Sequence, residues 1–357
     1  MGALGIPVSD LRQSWPLPAS PRPIVIVGAG GIVNDAHLPA YRLAELPVAG
    51  LFDIDAGRAQ DLAARWETRA FDSLAEAIAT PGAVYDLALP PSAHAEVLKQ
   101  LPDGAAVLIQ KPMGRNLDEA TEILTICRQK QLVAAVNFQL RFSPMMLAAR
   151  DALDRGWLGR LVDVEVHLNL LTPWHLFPFL KGMSRVEISV HSIHYLDLIR
   201  SFLGNPVGVH ARTLGHPATD LAQTRTSAIF DFAPDQRVTF SINHNHDFGN
   251  RFGAAGIRFE GTEGAVMTKL GVLLNYPQGE PDELWITRRG ENWTAVPLSG
   301  GWFPHAFIGT MSNLMRVAAG EDEVLVTSVE DAWHTMALAE AAFESASLPA
   351  TSVKAAP

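Results

Sequence analysis

A single cysteine, a shortage of positive charge and the lack of any long apolar run each exclude a class of protein. Cys127 has no partner for an internal disulfide, and it shares a predicted helical face with Ile123 and Leu124, which favours a buried thiol over a nucleophile. Lys and Arg number 28 against 38 Asp and Glu, so binding to a nucleic-acid backbone is not expected. No apolar run approaches the roughly 20 residues of a membrane span, so we expect no membrane partner.

The chain length and the N-terminal composition limit which domain organisations are possible. At 357 residues the chain exceeds the usual size of one domain, so two domains that share an interface are expected. The first 23 residues have no basic start followed by an apolar block, which argues against a secretory signal, and a reducing cytoplasm fits the cysteine usage. Four prolines between positions 16 and 23 predict an extended arm over residues 1–20.

An apolar, β-rich run at 24–27 leads directly into a glycine turn and then a helical pattern. The turn and the first helical position comprise Gly28, Gly30, Gly31 and Ile32. A strand, a glycine turn and a helix N-terminus direct backbone N–H groups and the positive end of the helix dipole at a pyrophosphate. Val33 stands where the dinucleotide fingerprint has a small residue, which predicts wider helix packing or a shifted helix.

The second strand, at 48–52, ends at Asp53. A carboxylate at this distance from the glycine turn would accept hydrogen bonds from the ribose hydroxyls of adenosine. It favours NAD over NADP, because a 2′-phosphate would meet a negative charge. The alternative is that Asp53 only caps the following helix.

Alternating strands and helices continue to about residue 138. Strands are predicted at 85–91, 105–112 and 132–138, with helices at 92–101 and 117–130. This alternation predicts a Rossmann domain over residues 21–143, a parallel sheet covered by helices whose ligands lie at the carboxyl ends of the strands. Pro90 and Lys111 lie at such ends. Either could be a loop residue without a role, although the position favours a functional Lys111.

The remaining residues, 144–357, are predicted to form an α+β domain. Residues 161–171 alternate strictly between apolar and polar side chains, so one face of that strand is packed and the other is polar. Further short strands separated by turn signals predict a large, mostly antiparallel open sheet.

Two histidines three residues apart lie in the helical pattern VEISVHSIHYLDLIR. Glu187, His191 and His194 are spaced so that a regular helix would carry them on one face. The pair could bind a metal, fill the core or transfer protons. His244 and His246, which alternate onto one face of a strand, are further metal candidates, but no supporting carboxylate or cysteine is evident and we predict no metal.

A series of motifs resembles, in chain order, the glucose-fructose oxidoreductase, inositol dehydrogenase and rhizopine-catabolism (Gfo/Idh/MocA) family. The resemblance covers nearly the whole chain after residue 21, and no single motif is specific without the others. The motifs are GAGGI with AHLPAY at 28–41, FDID at 52–55, LPPSAH at 89–94, QKP at 110–112, NFQLRFSP at 137–144, HYLDLIRSFLG at 194–204, FEGTEG at 259–264 and SVEDA at 328–332.

The resemblance implies that Lys111 is the catalytic lysine and that His194 is the catalytic histidine. Gln110 replaces the glutamate that usually precedes the lysine, and a neutral amide leaves the lysine easier to deprotonate. Aligning His194 in this way puts Val190 where the family has an aspartate. His191 is then a candidate to replace that carboxylate, or else a core histidine beneath the site.

Another alignment register is open for the same helix. It makes Glu187 and His191 the acid and the histidine, but it forfeits the matches at Asp197 and Gly204. In the preferred register Glu187 is expected to orient His191. The implied cofactor-binding set is Gly28, Gly30, Gly31, Ile32, Asp53, Pro90, His94, Gln110, Lys111 and Arg141.

The family implies an NAD(P)-dependent dehydrogenase that oxidises, or reversibly reduces, a hydroxyl of a sugar, cyclitol or sugar acid, with NAD favoured over NADP. It also implies a small polyhydroxylated substrate and a homo-oligomer, dimer or tetramer, formed through the C-terminal sheet. Because Val190 alters the proton-transfer site, a redox-neutral isomerase, epimerase or elimination enzyme with retained NAD is an alternative. A non-catalytic sugar-sensing regulator is another.

Overall fold

In the computed structural model, which describes residues 7–276 and 278–354, the N-terminal part forms the predicted Rossmann-like layers. Its elements are β1 (Ile24–Val27), α1 (Leu38–Leu43), β2 (Val48–Phe52), α2 (Ala56–Arg65), α3 (Leu74–Ile78), β3 (Val84–Leu87), α4 (His94–Gln100), β4 (Ala106–Ile109), α5 (Leu117–Gln129), β5 (Val133–Val136) and α6 (Pro144–Asp154). The five strands are parallel and follow the order β2-β1-β3-β4-β5. They are short, apolar and mostly buried, because a parallel sheet has both faces covered.

The carboxyl ends of these parallel strands meet at one edge of the sheet. Gly28 follows β1, Asp53 follows β2, and Lys111 lies two residues beyond β4. The strand order changes direction between β1 and β3, which is where ligands bind in sheets of this type. The edge therefore brings together residues that are far apart in the sequence.

The second part of the chain contains the predicted large sheet. Its elements are β6 (Leu161–Asn169), α7 (Ile193–Leu203), β7 (Gly208–Leu214), β8 (Arg225–Asp231), β9 (Arg237–Asn243), β10 (Ala254–Gly261), β11 (Gly264–Lys269), β12 (Glu283–Arg288), β13 (Thr294–Ala295), α8 (His305–Ala318) and α9 (Val329–Ser347). The strand order is β13-β12-β11-β10-β6-β9-β8-β7, and every neighbouring pair is antiparallel except β6 and β9. α7 and α9 pack against one face. None of the helices in the described part of the chain combines the length and apolar composition of a bilayer-crossing segment.

Helix α8 returns to the first domain. It packs against β4, β5 and α1, and Met311 and Leu314 share a buried core with Ile24 and Leu108. A single β-bridge also pairs Ala135 with Ser328. The periodicity of a sequence shows that a helix has an apolar face, but it does not show which sheet that face covers. The domain boundary predicted at residue 143 therefore leaves α8 out of the first domain, whose core it completes.

The N-terminal arm is docked along both domains. The described part of the arm, residues 7–20, makes few hydrogen bonds to itself and many to distant segments. The indole N–H of Trp15 donates to Asp322 at 2.9 Å, and its ring packs edge-on against Phe142 at 5.2 Å. The predicted arm over residues 1–20 begins with residues 1–6, which lie outside the described residues.

Candidate active site

The glycine turn exposes backbone where a phosphate would approach. Gly28 has φ of +110°, and a Cβ there would lie 2.3 Å from the carbonyl oxygen of Ala88, so only glycine fits. Its N–H donates to the carbonyl of Phe52 at 2.7 Å, which ties the turn to β2. A Cβ on Gly30 would meet no atom within 4 Å, and the helical backbone starts at Gly31. This arrangement of strand, turn and helix N-terminus fits the pyrophosphate of a dinucleotide.

The helix after the glycine turn contains a π-helical segment, Val33–His37, before α1. Val33 is fully buried in the core beside β1, and Ile32 is half-buried against the same core, so the wider turn accommodates the larger residue. His37 Nδ1 and the Tyr41 hydroxyl each lie 2.6 Å from Asp86 Oδ2 in the centre of the sheet. Burial, followed by the charge of Asp86, raises the pKa of Tyr41 well above its usual value.

Asp53 lies against the glycine turn. Its Oδ2 accepts the N–H of Ala29 at 2.8 Å, and its side chain is 9% exposed. The cap of α2 is Asp55, which accepts the N–H of Arg58 at 3.1 Å, so the capping alternative for Asp53 is wrong. Arg58 Nη1 lies 3.7 Å from the Asp53 carboxylate. This guanidinium offsets part of the negative charge that was expected to reject a 2′-phosphate.

The loop after β3 contains two predicted cofactor contacts with different surroundings. Pro90 is exposed at the ligand edge of the sheet. His94 is fully buried, and its Nε2–H donates to the carbonyl of Leu89 at 3.2 Å. Burial lowers the pKa of His94 to about 4, so the ring is neutral near pH 7. The prediction that His94 contacts a cofactor directly is corrected, because the ring has no accessible surface. Its hydrogen bond to Leu89 stabilises the loop after β3 instead.

Lys111 joins the two domains. Its ammonium donates to the carbonyl oxygen of Val190 at 2.7 Å. Burial lowers the pKa of Lys111 to about 8, and no carboxylate in the described part of the chain opposes that shift. Beside it, Gln110 Oε1 accepts a hydrogen bond from the Asn137 amide at 3.0 Å.

The helix that bears the histidines is not regular at its start. A π-helical segment, Ile188–Ser192, precedes α7, and the extra residue in this turn changes which side chains share a face. The regular α-helical spacing on which the prediction of one common face was based therefore does not apply between Ile188 and Ser192. Val190 packs against an apolar cluster that includes Val186 and Leu221, so the position of the family's aspartate holds an apolar contact.

Glu187 is fully buried, and it does not contact His191 directly. Its carboxylate accepts from the Ser192 hydroxyl at 2.7 Å and from the hydroxyl of Thr226, and it lies 3.3 Å from His244 Nε2. The expectation that Glu187 orients His191 stays a prediction, and the ring of His244 lies between the two side chains in the series of contacts.

His191 and His194 lie close to Lys111. Burial, then the charges of His244, Lys111 and His194, lower the pKa of His191 well below its usual value. Burial, then the charge of Lys111, does the same to His194. Nδ1 of each ring is buried without a hydrogen-bond partner among the described residues, so Nε2 is the nitrogen left to meet a ligand. Two neutral imidazoles and one easily deprotonated amine thus lie in one cluster, which is a candidate proton-transfer site.

Aromatic edges hold His194 in place. Its ring centroid lies 6.3 Å from that of Phe138 and 5.9 Å from that of Trp302, each nearly perpendicular. No motif of the sequence identifies Trp302, since scattered aromatic residues are usually core residues.

His244, which the sequence suggested only as a metal candidate, is a member of this cluster. It is fully buried, with its Nδ1 2.8 Å from the Thr172 hydroxyl and its ring centroid 4.3 Å from that of His191. Across residues 7–276 and 278–354, no three His, Cys, Asp or Glu side chains are arranged to hold a metal ion.

Arg141 lies in a buried ion network rather than at the cofactor edge. Its guanidinium pairs with both oxygens of Asp197 at 2.5 and 2.6 Å and with Asp331 at 2.5 Å. Asp331 also pairs with Arg200 at 3.0 Å. The predicted cofactor contact of Arg141 is corrected because its donors are engaged in joining the end of the first domain to α7 and α9.

Comparisons with known proteins agree with the fold. Residues 22–138 match a family model, GFO_IDH_MocA, described as an oxidoreductase family with an NAD-binding Rossmann fold. An oxidoreductase from Agrobacterium radiobacter, solved in complex with NAD+, L-tartaric acid and magnesium, superposes with a TM-score of 0.75 at 20% identity. The match covers 92% of this chain and 96% of that one, and at this identity it shows the fold alone.

Two curated relatives match at the sequence level. The uncharacterized protein YMR315W of Saccharomyces cerevisiae is 28% identical over 256 residues, which cover 66% of this chain and 69% of that protein. The 1,5-anhydro-D-fructose reductase of Ensifer adhaerens is 25% identical over 209 residues, or 57% of this chain and 60% of the reductase.

Proposed function

Since residues 22–138 belong to the Gfo/Idh/MocA family of NAD-binding oxidoreductases, we propose that the protein oxidises, or reversibly reduces, a hydroxyl group of a sugar-, cyclitol- or sugar-acid-like substrate. The observation that carries the proposal is the cluster formed by Lys111, His191 and His194 beside the ligand edge of the parallel sheet.

The residues at the glycine turn fit a dinucleotide. Gly28 and Gly30 leave the backbone accessible, the helix that starts at Gly31 supplies N–H groups, and Asp53 offers a carboxylate for the ribose. Arg58 beside that carboxylate keeps NADP open as a second cofactor. A bound nicotinamide dinucleotide would supply the hydride acceptor.

The cluster residues manage the proton that leaves the substrate hydroxyl. The pKa of Lys111, about 8, is close to the value at which a general base is most effective near neutral pH. His194 is neutral and buried, so its free nitrogen can accept a proton or hold the hydroxyl in place. Burial of the cluster among apolar and aromatic side chains strengthens each of these interactions.

A cavity of about 170 Å³, lined by Leu170, Leu171 and Pro173 beyond the end of β6, offers space for a small polyhydroxylated substrate. Polar lining groups come from His246, Asn275 and Tyr276, and such donors, acceptors and ring faces suit hydroxylated ligands. Burial, followed by the charge of Asp35, raises the pKa of Tyr276. Asp35 belongs to the helix after the glycine turn, so Tyr276 lies near the first domain.

A redox-neutral reaction is the second candidate. The observation that favours it is the apolar contact of Val190 at the place of the family's aspartate, which alters the proton-transfer site. An isomerase, epimerase or elimination enzyme with retained NAD would turn over substrate without net NADH. A sugar-sensing regulator would need neither an easily deprotonated lysine nor the buried histidines.

We also propose that the open face of the C-terminal sheet forms a homo-oligomer. Ile229, Met267 and Trp285 are exposed apolar residues on the same row of this face, and they flank a charged centre that contains Arg258 and Glu165. Exposed apolar side chains that share one sheet face favour a subunit contact.

The test is a screen of aldoses, cyclitols, sugar acids and lactones with NAD and with NADP, followed by the absorbance of the reduced nicotinamide. Accumulation of NADH or NADPH with one class of substrate supports the dehydrogenase. Product formation without reduced cofactor supports the redox-neutral alternative, and no turnover together with tight sugar binding supports the regulator.

A further inference from the structure

A fully buried carboxylate and imidazole, Glu187 and His244, lie next to His191 in the candidate site. Glu187 and His244 have no exposed surface, and the distance from Glu187 Oε1 to His244 Nε2 is 3.3 Å. A buried carboxylate is costly unless it is fully hydrogen-bonded, and hydroxyls from Ser192 and Thr226 complete its shell. The set is therefore a built arrangement, and the proposed acid–base roles of Lys111 and His194 do not account for it.

The hydrogen bonds fix the orientation of the His244 ring. A carboxylate only accepts, so Nε2 of His244 carries a hydrogen and donates to Glu187. On the other side, Nδ1 lies 2.8 Å from the hydroxyl oxygen of Thr172. Both nitrogens are thus engaged, and the ring cannot flip without breaking two hydrogen bonds.

The fixed ring of His244 in turn packs against His191. The two centroids are 4.3 Å apart and the planes are inclined by 57°. His191 makes no hydrogen bond through Nδ1 to the described residues, so packing is what sets its ring orientation. Tyr195, at 6.3 Å, closes the other side of His191.

We propose that His244, held by Glu187 and Thr172, is a positioning residue that aims His191 at the substrate hydroxyl, so that an imidazole takes the place of the carboxylate absent at Val190. This proposal rests on the proposed hydroxyl-oxidising function. It accounts for the buried carboxylate of Glu187 next to the site in a chain that has valine, and no carboxylate, at position 190. The charged or titratable groups around His191 are Lys111, His194, His244, Glu187 and Tyr195.

The first test replaces the ring nitrogens and keeps the ring. His244→Phe is expected to lower kcat for hydroxyl oxidation by about 10- to 100-fold, the size of effect that a small misplacement of a reacting group causes. The dissociation constant of the dinucleotide, measured by fluorescence titration, should stay unchanged. His244→Gln, whose amide can still donate to Glu187, should recover part of the loss.

The second test does not depend on activity. Histidine ring NMR of the full chain follows the titration of each imidazole. Because the charge of His244 lowers the pKa of His191 and does not act on His194, His244→Phe should raise the pKa of His191 alone. This readout still tests the geometry if no substrate is turned over, so a failure of the proposed function is distinguishable from a failure of the positioning role.

Two further variants guard against misfolding and non-specific effects. Thr172→Val removes one hydrogen bond to His244 without unpairing the buried carboxylate, and it should give a smaller loss of kcat in the same direction. His334→Phe, at an exposed position on α9, is the matched control and should match the wild type. Equal kcat in His244→Phe and His334→Phe, or equal pKa changes at His191 and His194, would overturn the proposal.

Discussion

The ammonium of Lys111 donates a 2.7 Å hydrogen bond to the carbonyl oxygen of Val190. The lysine follows a strand of the first domain, and the acceptor lies in the π-helical turn that leads into α7 of the second. Position 190 therefore contributes an acceptor through its backbone although its side chain is apolar. The amine also lies close enough to both histidines for its charge to lower their pKa values.

Replacing the lysine tests its acid–base role. We expect Lys111→Met to lower kcat by about two to four orders of magnitude while the affinity for the dinucleotide is retained, because general acid–base catalysis contributes rate and not cofactor binding. Steady-state kinetics and cofactor titration measure the two effects. Lys99→Met, on the surface of α4, is the control, and an equal loss of rate and affinity in Lys111→Met would indicate a structural lysine.

The pH dependence follows from the lowered pKa of Lys111. The neutral amine accepts the proton, so the rate of oxidation should rise with pH and level off above about 8. A carboxylate at position 110 favours the charged amine, so Gln110→Glu should move the profile to higher pH. Gln110→Met keeps the size and neutrality of the side chain and should leave the position of the profile unchanged. Identical profiles for Gln110→Glu and the wild type would contradict this tuning.

Two glycines of the same turn should respond differently to alanine. Gly28→Ala puts a Cβ 2.3 Å from the Ala88 oxygen at a positive φ, so we expect a lower melting temperature. Gly30→Ala meets no protein atom within 4 Å, so stability should be kept while dinucleotide binding weakens. Thermal unfolding and cofactor titration separate the two. Unchanged binding by Gly30→Ala would place the dinucleotide elsewhere.

The buried ion network should stabilise the fold without contacting the cofactor. Arg141→Leu leaves Asp197, which is 1% exposed, without its main partner, and loss of a buried pair costs about 3–5 kcal/mol of the free energy of unfolding. Denaturant unfolding measures this. Arg128→Leu removes an exposed pair with Glu330 and should cost no more than about 1 kcal/mol. A large loss of dinucleotide affinity in a folded Arg141 variant would indicate instead that Arg141 contacts the cofactor.

Local patterns carried the most information about the molecule. The strand before Gly28, the strand before Asp53 and the alternation at 161–171 are set by neighbouring residues, and the sequence predicted them. The two sheets and the family resemblance were likewise visible as an ordered series of short motifs.

Contacts between distant segments were harder to predict. Nothing near Arg141 in the sequence shows that Asp197 and Asp331 occupy its guanidinium. The π-helical turn at 188–192 changes the helical phase, and spacing alone assumes a regular helix. For His244 the signal was present, since two histidines alternate at the end of β9, but only its pairing with Glu187 distinguishes a positioning role from a metal site.

The return of α8 has a consequence for how the gene can be divided. A fragment that stops at residue 143 would leave β4 and β5 without their cover and would expose Ile24 and Leu108 to water. The N-terminal lobe is thus not an autonomous module that evolution or an engineer could transplant by itself. A chimera designed to change substrate specificity therefore has to exchange the middle of the chain and keep both the N-terminal sheet and α8.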